Sequence, residues 1–216
     1  YVTGMVVDVY HLMKPTMNFH RGMSSFEFIR GQENDRWKSA PVADEVAQKY
    51  VPEGDSASGA FLQYLQNQAG RSGEEDYQCA RVFRAAMDWL EGNATQENFF
   101  LWVDSFDPHE PWDTPREYVQ MYDPGWEGKE WINPHALPYG EMTPEQIDHT
   151  KALYKAEVTM VDHWLGKFLD KIDELGLSEN TLVILLSDHG KIVGEFEHFG
   201  MSNKHSSRYL YDVPLM

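Results

Sequence analysis

Polar side chains suited to catalysis or metal binding follow two apolar runs of this sequence. The run NFFLWVDSF leads into Asp104, Asp107 and His109, and the run TLVILL leads into Asp188 and His189. In open α/β sheets, ligands bind beyond the carboxyl ends of the strands. These five residues are therefore the first candidates for a functional site.

The adjacent Asp188 and His189 can offer one oxygen and one nitrogen to the same divalent cation. Calcium would favour an oxygen-rich ligand set, whereas the imidazole also suits zinc or manganese. At least two further ligands must come from elsewhere. From spacing alone, Asp188 serves equally well as a side chain that caps the backbone of a turn.

His109, in the segment DPHEPW, also has two interpretations. It is either a pocket imidazole that donates a hydrogen bond or a proton to a substrate oxygen, or a ring packed between Pro108 and Trp112. Lys204 follows Asp188 by 16 residues in a polar loop. It either neutralises an anion there or is simply solvated.

The composition limits the classes of function. The chain has 216 residues, of which 42% are hydrophobic and 25% charged, as in an ordinary globular protein. A net charge of −17 argues against nonspecific nucleic-acid binding, and an anionic substrate would need local positive charge. The single Cys79 excludes a disulfide framework and is expected to be buried. No apolar run approaches the roughly 18 residues that span a membrane.

The candidate residues must be positioned by strands and helices, which the hydrophobic pattern predicts. We expect strands at residues 1–9, 98–106 and 181–186, the last two buried on both faces. Helical spacing occupies residues 41–65 and 74–90, and a strong amphipathic helix starts at Thr143-Pro144 and stops at Gly176. Residues 18–37 and 107–139 are expected to be loops, and His149 is expected at the surface. This order predicts an α/β fold with a mostly parallel sheet covered by helices.

Four segments, spread over nearly the whole chain, resemble the sulfatase family of the alkaline phosphatase superfamily. They are YVTGMVVDVYHL, FFLWVDSFDPHEPW, EVTMVDHWLGKFLDKIDELGLSENT and TLVILLSDHG, the last followed by a loop, a Lys and VPLM. The resemblance implies a partial alkaline-phosphatase-like domain. Residues 1–216 would form the central part of a single sulfatase catalytic domain, truncated at both ends.

The resemblance also implies roles for particular residues. Asp188 and His189 match a metal-ligand pair of the family, whose metal is usually calcium and sometimes magnesium. His109 matches a pocket histidine that contacts the sulfate, and His11 matches a second one. Lys204 matches a sulfate-binding lysine. The implied reaction is hydrolysis of a small-molecule or carbohydrate sulfate ester.

Departures from the family pattern are equally informative. The family nucleophile is a formylglycine made from Cys or Ser in a C/S-x-P-S-R-like motif, which this sequence lacks; Cys79 is followed by Ala80-Arg81-Val82. The early Asp pair that completes the metal site is also absent, and Val9 stands where the family often has a Lys. The segment alone is therefore expected to be inactive. The alternatives are a phosphodiesterase or phosphonate monoester hydrolase of the same superfamily, and a non-catalytic binding module on this fold.

Overall fold

A three-stranded parallel sheet forms the centre of the computed structural model, which describes residues 1–51, 57, 59–134, 138–201 and 207–216. Its strands are β1 (Val2–Val7), β2 (Ser25–Phe28) and β3 (Phe99–Asp104), in the order β2-β1-β3. At the carboxyl ends, Val7 pairs with both Phe28 and Asp104. All three strands therefore end at the same edge of the sheet.

The central strand β1 is the most deeply buried part of the sheet. Met5, Val6 and Val7 are each at most 1% exposed. A Cβ atom at Gly4 would lie 2.3 Å from the Trp89 indole, so only glycine lets this ring lie against the strand. Trp89 belongs to helix α4 (Gln78–Asn93), and its Nε1 atom donates a 2.8 Å hydrogen bond to Ser25 Oγ. This contact fixes α4 across the sheet.

Two helices build the core on one face of the sheet. Phe99, Leu101 and Val103 of β3 pack into this core. The long helix α6 (Pro144–Glu174) packs against α4, with the rings of Phe83 and Phe168 6.0 Å apart. On the opposite face of the sheet Phe100 is 51% exposed. None of the described helices combines the length and apolar character needed to cross a membrane.

The ends of α6 follow its sequence signals. Thr143 caps the helix by accepting from Gln146 N, while the Gln146 side chain accepts from Thr143 N. Pro144 occupies the first turn, and Gly176 follows the last turn with φ +69°. The predicted helix is therefore confirmed.

The remaining elements are short. The other helices are α1 (Tyr10–Met13), α2 (Asp44–Lys49), α3 (Gly59–Gln68), α5 (Arg116–Gln120) and α7 (Arg208–Tyr211), with 3₁₀ turns at Glu74–Asp76, Tyr139–Glu141 and Glu195–Glu197. Strands β4 (Ile192–Val193) and β5 (Phe199–Gly200) form an antiparallel hairpin. The α/β class, the parallel sheet, the strands at β1 and β3 and the burial of Cys79 are as predicted.

Two sequence predictions about strands were wrong. Residues 18–37 are not all loop, because Ser25–Phe28 forms β2 along the free edge of β1. Residues 181–186 do not form a buried strand: Leu182 is 83% and Ile184 59% exposed, and Leu185 pairs only with the backbone of Met216. An apolar run is buried only when another layer covers it, and none of the described elements covers this one.

Candidate functional site

The imidazole rings of His109 and His189 lie 6.3 Å apart, edge to face, beyond the carboxyl end of β3. His109 stands between two cis peptide bonds, Asp107–Pro108 and Glu110–Pro111, and stacks on Phe106 with ring centres 4.2 Å apart. The structure thus brings together residues that are 80 positions apart in the chain.

The hydrogen bonds of His109 define its protonation pattern. Its Nδ1 atom lies 2.8 Å from the Glu110 carbonyl oxygen. Because a carbonyl only accepts, Nδ1 carries the hydrogen, and Nε2 is left for other partners. Burial lowers the pKa of His109, and nearby Lys191 lowers it further, while the Glu110 carboxylate opposes them. The neutral ring with an accepting Nε2 is therefore favoured.

His189 has the same arrangement. Its Nδ1 donates to the Gly190 carbonyl at 2.8 Å, which leaves Nε2 as the atom able to bind a metal. Asp188 is highly exposed, and its Oδ1 accepts a 2.9 Å hydrogen bond from His189 N. The turn interpretation of Asp188 is thus observed, and it leaves the other carboxylate oxygen available as a ligand.

The carboxylate of Asp104 interacts electrostatically with that of Asp188. Burial raises the pKa of Asp104, and the charge of Asp188 raises it further. A cation between the two carboxylates would relieve this repulsion, and carboxylate oxygens and an imidazole nitrogen are ligand types that divalent metals use. Within the described ranges, however, no three His, Cys, Asp or Glu side chains converge closely enough to hold one. Calcium takes about six to eight ligands, so Asp188 and His189 fit only as part of a larger set.

An ion pair between two loops was missed by the sequence analysis. Lys191 Nζ lies 2.6 Å from Glu110 Oε2, and both side chains are less than 10% exposed. The pair ties the loop of His189 to the loop of His109. Lys191 directly follows the SDHG segment, but nothing in its spacing indicates Glu110 as its partner.

A buried acidic network links Asp107, a candidate from the sequence, to Asp8, which the sequence did not indicate as a site residue. Asp8, at the end of β1, is fully buried and accepts a 2.7 Å hydrogen bond from Phe106 N. Burial, followed by the charge of Asp107, raises its pKa. Burial likewise raises the pKa of Asp107 to about 6, and Gln32 Nε2 donates to this carboxylate at 2.7 Å. The carboxyl ends of β1 and β3 are joined through these groups.

Of the other two predicted site residues, one lies apart from His109 and His189, and the other is outside the described residues. His11 Nε2 pairs with Glu33 Oε1 at 2.8 Å, and no contact within the described chain links it to His109 or His189. Lys204 lies outside the described residues.

His149 was predicted at the surface, and that prediction was wrong. It is 1% exposed, stacks on Trp126 with ring centres 4.3 Å apart, and bonds to Asp123 Oδ2 at 2.8 Å. The reason is that residues 123–126 fold over this face of α6.

Comparison with known proteins identifies the family. The model of the family described as Sulfatase matches residues 14–216. The chain belongs to the sulfatase family. It is 29% identical to an arylsulfatase of Clostridium perfringens (strain 13 / Type A) over 61% of this chain and 31% of that protein. It is 34% identical to an ulvan-active sulfatase of Formosa agariphila over 52% of this chain and 21% of that protein.

Solved structures of other proteins show a similar fold. A complex with the substrate D-glucosamine-2-N,6-O-disulfate matches with a TM-score of 0.63 at 15% identity, over 100% of this chain and 52% of that one. Phosphonate monoester hydrolase of Agrobacterium radiobacter matches with a TM-score of 0.61 at 17% identity, over 100% of this chain and 49% of that one. The sulfatase chain described here thus spans about half of these structures and a fifth to a third of the two curated relatives.

Proposed function

We propose that the protein containing this chain, called the parent protein below, hydrolyses sulfate esters in a pocket that includes His109, Asp188 and His189. The observation that carries the proposal is the approach of the His109 and His189 rings to 6.3 Å beyond the carboxyl end of β3, in a chain of the sulfatase family. Residues 1–216 would be the central part of its catalytic domain. The partial coverage of the relatives supports this assignment.

Asp188 and His189 would hold a divalent cation, calcium or magnesium, together with further ligands of the parent protein. The hydrogen bond from His189 Nδ1 to Gly190 supports this role, because it orients Nε2 as a ligand atom. The bound metal would supply a Lewis acid that stabilises charge on the sulfate oxygens.

His109 would act at the ester oxygen. Its ring is fixed by Phe106 and by the Glu110 carbonyl, so Nε2 has a defined direction. The negative charge of a bound sulfate ester would favour the imidazolium form, and protonated Nε2 would then donate to the leaving oxygen. His11 and Lys204 are proposed to add positive charge around the sulfate. The formylglycine nucleophile expected for the family would come from a segment outside residues 1–216.

The proposed substrate class is a sulfate ester of a small molecule or a carbohydrate. Relatives named for ulvan and for iduronate support the carbohydrate class. The net charge of −17 makes local cations necessary for binding any such anion.

Turnover of 4-nitrophenyl sulfate by the full-length parent protein tests this function. H109A is expected to lower kcat by about 10²–10⁴-fold, the usual contribution of a general acid. The matched control is H163A, because His163 is an exposed histidine on α6 outside the site. Hydrolysis of a phosphonate monoester without any of the sulfate ester would overturn the proposal.

Metal binding is tested by calorimetry on the same protein. Wild type is expected to bind Ca²⁺ or Mg²⁺, and D188N is expected to weaken binding by at least tenfold. Absence of binding to wild type would favour the non-catalytic binding module. The isolated chain 1–216 is expected to show no turnover, because it has no C/S-x-P-S-R motif. Robust aryl sulfate hydrolysis by it would contradict that expectation.

A further inference from the structure

A polar cleft opens between the loop after β2, the end of α3 and the start of α4. Its volume is about 250 Å³, and its walls carry one aromatic ring, three cations, several side-chain amides and a single carboxylate. The cations are Lys38, Arg71 and Arg81, and the carboxylate is Asp76. This charge balance is the reverse of the whole chain, which has 35 acidic and 18 basic residues.

The carboxylate in the cleft is already engaged. Asp76 Oδ2 accepts hydrogen bonds from Ser72 N at 2.8 Å and from Gly73 N at 3.3 Å. These bonds lower the pKa of Asp76, so it stays ionised within its own turn. It forms no ion pair with the cations of the cleft among the residues that the structure describes.

The cations, by contrast, have unused binding capacity. Lys38 Nζ and Arg81 Nη1 donate only to backbone carbonyls, of Ala69 at 2.7 Å and Arg30 at 3.1 Å, and neither pairs with a carboxylate within the described ranges. Arg71 pairs with Asp113 at 2.7 Å, yet its Nε atom is buried without a hydrogen-bond partner. Because this Nε is inaccessible and the charge of Arg71 is paired, Lys38 and Arg81 are the cations available to an anion.

The two arginines also repel each other. Burial lowers the pKa of Arg81, and the neighbouring charge of Arg71 lowers it further. An anion in the cleft would offset this repulsion.

The cleft is organised before any ligand enters. Lys38 Nζ lies 4.3 Å and Arg81 Cζ 5.3 Å from the centre of the Trp37 ring, so cation–π attraction holds both charges beside it. Gln78 Nε2 donates to Gln68 Oε1 at 3.0 Å, which fixes the amide wall. Preorganised charges bind an anion with little loss of side-chain freedom.

We infer that this cleft binds one anionic sugar residue, bearing a sulfate ester or a carboxylate, of the saccharide whose sulfate ester the parent protein hydrolyses. The inference rests on the proposed function for the identity of the saccharide. A volume of about 250 Å³ is below the ~300–1,000 Å³ of pockets for drug-sized ligands, so the cleft suits a single ring.

The cleft and the proposed pocket share structural elements. Asp113, the partner of Arg71, lies four residues after His109 on the same loop. Next to Gln78 in the cleft wall, Cys79 N donates to Asp107 Oδ2 at 3.2 Å. The loop 107–113 therefore contacts Arg71 of the cleft through Asp113 and carries His109 of the proposed pocket.

Calorimetry on chain 1–216 tests the inference without turnover. The probes are N-acetylglucosamine 6-sulfate, glucuronic acid and neutral N-acetylglucosamine. At least one anionic sugar is expected to bind, more weakly as salt rises, and the neutral sugar is expected to bind at least tenfold more weakly. Comparison of the two anionic probes distinguishes sulfate from carboxylate. Equal affinity for all three, or no binding of either anion, would overturn the inference.

Matched variants assign the binding to the cleft. R81Q and K38Q are each expected to raise the Kd at least tenfold. The controls are R84Q, which removes an exposed arginine of the same helix, and K167Q, which removes a lysine held 3.8 Å from the Trp164 ring. Both are expected to change the Kd less than twofold, with unchanged circular dichroism. Equal losses in R84Q and R81Q would reject the cleft, whereas failure of sulfate ester hydrolysis with intact sugar binding would reject only the proposed function.

Discussion

Glu157 is a buried acid on α6, 2% exposed, and its Oε2 atom has no hydrogen-bond partner within the described chain. Burial raises the pKa of Glu157 well above its ordinary value, and the charge of Asp107 raises it further. The native state therefore holds a proton that the unfolded chain releases above pH ~4.5. The free energy of unfolding should therefore fall as the pH rises from ~4.5 toward the raised pKa of Glu157.

The substitution E157Q removes this titration. We expect E157Q to raise the free energy of unfolding at pH 8 by about 1 kcal/mol, the ordinary size of a single-substitution effect, with little change near pH 4. Urea denaturation at both pH values measures it. The control E179Q changes an exposed glutamate and should have no such pH dependence. Destabilisation of E157Q at pH 8 would show that Glu157 is ionised in the fold.

His149 titrates in the opposite sense. Burial lowers the pKa of this ring, although Asp123 and Glu130 favour the charged form. Below the ordinary value near 6.5, the unfolded chain binds a proton that the native state resists. Stability is therefore complete above that pH and declines as the pH falls toward the lowered pKa.

Replacement by phenylalanine should keep the stacking on Trp126 and abolish the titration. We expect the fall in Tm between pH 7.5 and pH 5 to be smaller in H149F than in wild type, as measured by calorimetry. H163F, at an exposed position of the same helix, is the control. If H149F loses as much Tm as wild type, His149 is not the group that responds.

At the scale of elements, the two glycines of the α6 region differ in whether their backbone tolerates a side chain. Gly166 lies inside the helix, and a Cβ atom added there would meet no neighbouring side chain or other element within 4 Å, so alanine fits. Gly176 ends the helix at φ +69°, a conformation that disfavours any Cβ. Replacement by alanine should therefore stabilise the chain at Gly166 and destabilise it at Gly176.

We expect G166A to stabilise the chain by about 0.5–1 kcal/mol, from helix propensity, and G176A to destabilise it by about 1 kcal/mol. Urea denaturation of the two variants compares them directly, each serving as the control for the other. Changes of the same sign in both would contradict this account of how α6 ends.

At the scale of the whole molecule, some apolar segments of the chain are buried and others are exposed. Ile132 is fully buried, whereas Ile184, in the most apolar run of the chain, is 59% exposed. Leu182, Leu186, Leu215 and Met216 near it are also exposed. The stability of the chain therefore depends on the core between the sheet, α4 and α6 and not on residues 181–186.

One matched pair of substitutions tests this distribution. I132A should cost about 2–5 kcal/mol, because it leaves a cavity in a packed core. I184A should change the free energy of unfolding by about 0.5 kcal/mol or less. Chemical denaturation measures both. A large cost at Ile184 would mean that the run 181–186 is covered in solution.

The sequence by itself determined the elements whose signals are local. Strand β1 follows from its β-branched residues, β3 from its apolar run, and helices α4 and α6 from side-chain periodicity. Thr143 and Gly176 set the ends of α6, because a cap involves only its own turn. The family also follows from contiguous segments. Asp188, His189 and His109 could be named as candidates because each lies two or three residues after an apolar run, and their roles remain proposals.

Only the tertiary structure decided which distant groups meet. The pairing of β2 with β1, the burial of His149 and the Lys191–Glu110 ion pair each join residues far apart in the chain, and no local pattern encodes such a contact. The exposure of Ile184 is likewise decided by tertiary structure. Burial depends on the layer that covers a segment, whereas the sequence records only whether that segment is apolar.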